Sequence, residues 1–137
     1  MDIDRRTAIA LSLTGAAALL GSKLSVAATE AQGKEIGPGV HYRMLGEARS
    51  PIPGFEKVTW EEVTWQPGAK FGPETMKNPM MCEILAGELE STHGGHPEPQ
   101  VIKAGYTFAC KVGMIENNVN KGTEVAVMRI VNLLPAA

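Results

Sequence analysis

Beyond the first 28 residues, no stretch of the chain keeps an apolar residue every three to four positions. This constrains the fold more than any other feature, because it removes helical bundles from consideration. The apolar runs are short and rich in Val, Thr, Ile and aromatic residues: "FEKVTWEEVTW" (55–65), "MMCEILAGELEST" (80–92), "YTFACKVG" (106–113) and "GTEVAVMRIVNLL" (122–134). Between them lie Gly- and Pro-rich segments, "GEARSPIPG" (46–54), "QPGAKFGPE" (66–74) and "HGGHPEP" (93–99), which read as turns. Fifteen glycines and nine prolines supply this punctuation. Short strands with closely spaced turns predict an all-β sandwich or barrel of one domain.

Within that frame, "VHYRML" (40–45) reads as an edge strand, and Ala86-Gly87 breaks 80–92 into two strands. Period-two alternation along 55–65 puts Val58, Trp60 and Glu62 on one face and Thr59, Glu61 and Val63 on the other. Neither face is cleanly apolar, so a bulge within this run is expected. In 80–92 the same alternation places Met80, Cys82 and Ile84 together, and turns Met81, Glu83 and Leu85 the other way.

The first 28 residues follow other rules. They carry Arg5-Arg6, an apolar run from Ala8 to Leu20, and small residues at Ser25, Ala27 and Ala28. The run is shorter than the roughly 20 residues a spanning helix needs. It matches a cleavable export signal, and the arginine pair resembles the twin-arginine type. The expected organisation is therefore a signal peptide over 1–28, a loose polar leader over 29–39, and a barrel over 40–137. The export machinery is the partner this implies, with a periplasmic or otherwise exported mature chain that does not insert in the membrane. The 137-residue chain has a formal charge of −2. Removing 1–28 takes three of its 13 basic and two of its 15 acidic residues, leaving about −3. Nothing here favours nucleic acid.

Two spaced patterns then align. The first runs from Gly68 through Glu74, Met76 and Met80 to Gly87; the second runs from Gly105 through Lys111, Gly113 and Glu116 to Asn120. Glycines, intervals and final asparagine resemble the two motifs of the cupin superfamily, which implies a jelly-roll β-barrel and a homodimer. The apolar last strand would suit the dimer interface. In that family two histidines, a carboxylate and a third histidine hold a divalent metal. Here those places read Glu74, Met76, Met80 and Glu116. The resemblance therefore implies the fold and argues against the usual metal chemistry.

What remains is a ligand pocket at the barrel mouth formed by Glu74, Met76, Met80, Cys82, Met114 and Glu116. Methionine adapts to irregular apolar cavities, and a barrel without its metal would fill the vacancy with such residues. Glu74 and Glu116 are the candidate catalytic acid and base, or the polar contacts of a small-molecule ligand. Three readings stay open. The leading one is a small-organic-ligand protein without cofactor. The second is a metal-dependent oxygenase or isomerase using Glu74, Met76, Met80 and Glu116. The third is a copper-binding protein using Met76, Met80, Met114 and Cys82. His93 and His96 fall on an expected exposed turn, and His41 reads as structural. Cys82 and Cys110 are either a disulfide or two buried thiols.

Overall fold

The computed structural model describes residues 33–136, and the expected signal peptide lies outside them. Ten strands follow in order: β1 (Lys34–Gly37), β2 (Val40–Arg49), β3 (Phe55–Trp65), β4 (Lys70–Thr75), β5 (Met80–Ala86), β6 (Glu88–His93), β7 (His96–Lys103), β8 (Thr107–Cys110), β9 (Ile115–Val119) and β10 (Ala126–Pro135). They form a six-stranded sheet, β1-β2-β3-β10-β5-β8, and a four-stranded sheet, β4-β9-β6-β7. Every pairing is antiparallel. Non-sequential neighbours such as β3-β10-β5 are what a jelly roll requires.

The inner face of the large sheet follows the alternation read from the sequence. One cross-strand row joins Tyr42, Val63, Met128 and Ile84, and the next joins Glu61, Ile130, Cys82 and Phe108. Val40, Val63, Trp65, Ile84 and Met128 meet Leu89 and Ile102 of the small sheet in one buried core. Truncating any of the larger ones is expected to cost about 2–5 kcal/mol, as large-to-small core changes do. The outer face carries Glu62, held by Arg43 at 2.9 Å and Arg129 at 3.3 Å, and beside it the apolar row Trp60, Val131, Met81.

Several expectations need correction. The loose leader is partly ordered, because Lys34–Gly37 forms β1 and pairs with β2. β1 thus takes the sheet edge, and β2 becomes an internal strand running to Arg49. The bulge expected in β3 lies on its partner. β3 keeps unbroken register with β10 from Trp65 to Lys57, while β2 carries the extra residue between Met44 and Gly46. The mixed face of β3 has a different cause: Glu61 faces a cavity and Glu62 an arginine pair. The final strand lies centrally between β3 and β5 and turns one of its faces to the core.

Three strands, β4, β7 and β9, arise in segments read as turn or left unassigned. β4 holds Gly72-Pro73 in mid-strand, and β9 is "IENNV", whose inward residues are Glu116 and Asn118. The four motif glycines Gly68, Gly87, Gly105 and Gly113 all have positive φ, between 69° and 91°. A Cβ at Gly87 would also lie 2.4 Å from the Val125 carbonyl oxygen. Their spacing therefore records turn geometry that side chains rarely adopt.

Candidate functional site

A cavity of about 190 Å³ opens between the sheets, lined by side chains of β1 to β5, β9 and β10 together with Met76. From the large sheet come Ile36, Tyr42, Glu61, Val63, Trp65, Met80 and Ile130; from the small one come Phe71, Glu74, Glu116 and Asn118. Such a volume holds about six waters, or an organic molecule of similar heavy-atom count.

A register shift brings the small-sheet residues together. Glu116 and Asn118 are two apart on β9 and share a face. Their partners on β4 are Glu74 and Phe71, which are three apart and on a regular strand would face opposite ways. The extra residue at Gly72-Pro73 is a bulge that returns both to the cavity face. Glu74 stands solvent-exposed at the mouth, whereas Glu116 is only 7% exposed.

Burial pushes the Glu116 carboxyl above the ordinary carboxylate range, against the lowering effect of Asn118, whose Nδ2 donates to Glu116 Oε1 at 2.6 Å. Cys110 Sγ lies 4.0 Å from the other carboxylate oxygen. Burial, then the Glu61 charge beside it, raises the Tyr42 phenol. Glu61 also accepts from Thr59 Oγ1 at 2.8 Å. Two buried polar atoms of the lining have no protein partner: Asn118 Oδ1, an acceptor, and Trp65 Nε1, a donor. Buried polar groups normally find partners, and these two, each with almost no accessible surface, do not. The arrangement can therefore grip a small molecule by apolar and aromatic walls, and can offer it carboxyl groups. Glu116 can also exchange a proton with a bound ligand.

Of the residues expected from the sequence, Glu74, Met76, Met80 and Glu116 line this cavity. Cys82 and Met114 do not. Cys82 faces inward but is enclosed in the core. Met114 Sδ instead accepts from the Lys111 backbone N–H at 3.3 Å, within the tight turn before β9. Cys82 and Cys110 are free thiols on paired strands, Cys110 opposite Met80 and Cys82 opposite Phe108. Burial raises both thiols, and the nearby Glu116 raises them further, which removes nucleophilic character. The sequence reading did not single out Glu61, although alternation already placed it beside Val63.

His93 is a further correction. It was expected on an exposed turn, yet it is 1% exposed, with Ser91 Oγ and Tyr106 OH each 3.1 Å from a ring nitrogen. Its ring packs on Phe108 at 4.2 Å between centroids. Burial, and then His96 nearby, lowers its pKa. His96 itself is exposed. Asn120, the last residue of the second motif, is wholly buried. Its Nδ2 donates to the carbonyls of Trp65 (3.0 Å) and Glu124 (2.8 Å), and its Oδ1 accepts from Gly122 N–H (3.0 Å).

Neither family models nor curated protein sequences match this chain. Solved structures do. An RmlC-like cupin from Shewanella frigidimarina NCIMB 400 superposes with a TM-score of 0.58 at 17% identity, over 75% of this chain and 82% of that one. The chain has a cupin fold. KdgF from Halomonas sp. gives 0.59 at 13% identity, over 76% and 86%. An oxalate oxidase in complex with the substrate analogue glycolate gives 0.57 at 22% identity, over 76% of this chain and 57% of the other.

The motif resemblance places Glu74, Met76, Met80 and Glu116 where it implies metal ligands. The residues here do not fit a histidine-held divalent ion. Among the described residues no three His, Cys, Asp or Glu side chains converge to hold a metal. The remaining set mixes hard carboxylates with soft thioethers, which suits no single ion well. Of the four sulfurs considered for copper, only Met76 and Met80 face the cavity.

Proposed function

We propose that this cupin-fold protein is exported and binds a small organic ligand in its barrel mouth, without a histidine-held metal. The observation that carries the reading is the cavity itself. Its walls are largely apolar and aromatic, with the carboxyl groups of Glu61, Glu74 and Glu116 set among them. Apolar walls with a few convergent polar groups are the usual composition of a small-molecule site. Oxygenase or isomerase chemistry through a metal has less support, because the donor set is wrong for it. Copper handling has less support because Cys82 and Met114 stand outside the cavity.

A ligand-observed NMR screen of a small-molecule library tests the proposal, run on the wild type and on Met80→Trp, which would fill the cavity. Hits that bind the wild type and are lost in a folded Met80→Trp support it. Hits unaffected by the filling, or none, would refute it. A homodimer that covers the outward row Trp60, Val131 and Met81 belongs to the same proposal, since two of these three side chains are exposed.

A further inference from the structure

We propose that the ligand of this cavity is a small organic cation, a protonated or quaternary amine, held by Glu61, Glu74 and Glu116 against the faces of Tyr42, Trp65 and Phe71. This rests on the small-molecule reading above and gives it a chemical class. Three acidic side chains reach the cavity from β3, β4 and β9, and its lining contains no lysine, arginine or histidine.

The arginines nearest in sequence register, Arg43 and Arg129, sit on the outer face of the large sheet and are both taken by Glu62. Among the described residues, Glu61, Glu74 and Glu116 form no ion pair with any side chain. The titratable groups around Glu116 are Glu74 across β4, Cys110 of β8, Cys82 of β5 and Glu61 of β3. None of them is cationic. Glu116 is buried with no counterion among the described residues, and a cationic guest would supply one.

A carboxylate guest would face the opposite situation, since nothing in the lining is positive. The aromatic residues add a second attraction, because ring faces draw organic cations and serve as cages for quaternary ammonium groups.

Calorimetric titration with three isosteric probes provides the test: choline, its neutral carbon analogue 3,3-dimethylbutanol, and the anion 3,3-dimethylbutanoate. The expected result is choline tightest, by about tenfold or more over the alcohol, with the anion weakest. The preference should shrink in Glu61→Gln and in Glu116→Gln; two variants guard against one that fails to fold, and the wild-type ranking needs neither. Equal binding of choline and the alcohol would overturn the charge inference and leave the cavity reading standing. Tighter binding of the anion would overturn it outright. Binding of none of the three would overturn it too, and library hits lost in Met80→Trp would then show that the cavity reading survives alone.

Discussion

Asn120→Ala isolates what the last residue of the second motif does. Asn120 is fully buried and its amide makes three hydrogen bonds, two to the carbonyls of Trp65 and Glu124 and one from the Gly122 N–H. Its backbone adds two more, to the Ala69 carbonyl at 2.9 Å and from the Gly68 N–H at 2.7 Å. The side chain thus ties the end of β9, which carries Glu116 and Asn118, to the end of β3, which carries Trp65. Alanine removes three bonds at about 1 kcal/mol each, and the stranded Trp65 carbonyl, which is buried, adds to the loss. The expected destabilisation is about 3–4 kcal/mol, a large share of the 5–15 kcal/mol of a typical domain. Urea unfolding should show a lower midpoint at unchanged slope, and Tm should fall by more than about 10 °C. Asn120→Asp keeps an acceptor for Gly122 but presents oxygen to two carbonyls, so it should fare no better. Stability within about 0.5 kcal/mol of wild type in both variants would refute the anchoring argument.

Three other predictions follow from the same geometry. Glu116 has a raised folded pKa, so the folded state holds its proton longer than the unfolded chain, and its contribution to stability falls as pH rises from the ordinary 4.5 through the raised value. Glu116→Gln keeps an acceptor for Asn118 and should gain stability relative to wild type at neutral pH; an unchanged pH profile would contradict the burial account. Cys82 and Cys110 should resist iodoacetamide in the native protein and react only on unfolding, measured by mass shift, while rapid native labelling of either would contradict their enclosure. Elemental analysis of the purified protein should find far less than one metal ion per chain, and stoichiometric metal lost in Glu116→Gln would overturn the donor-set argument.

Much of the architecture was legible because backbone constraints leave strong marks. Gly68, Gly87, Gly105 and Gly113 need positive φ, and Asn120 completes a buried bonding cluster, so both patterns mark the fold whatever residues line the cavity. The strands that build the site were harder to read. β9 turns Glu116 and Asn118 inward, the reverse of the apolar-in alternation, and β4 is interrupted by Gly72-Pro73. Those departures are what make the site: inward polar residues supply its chemistry, and the bulge re-aims Glu74. His93 misled for a related reason. The two-residue Gly94-Gly95 turn is tight enough that His93 still belongs to β6 and points into the core. Glu61 was accessible to the simplest signal, since it alternates with Val63 and Trp65. Nothing in the sequence distinguished it from Glu62, whose partners Arg43 and Arg129 come from other strands.

The most direct test of the cavity as the functional site is a two-dimensional NMR titration that follows the two indole N–H signals. Trp65 lines the cavity with its N–H unpartnered, while Trp60 lies exposed on the outer face. The account predicts that a binding small molecule shifts the Trp65 signal saturably and leaves Trp60 in place. Saturable shifts confined to Trp60 and its neighbours Val131 and Met81, with Trp65 unmoved, would contradict it.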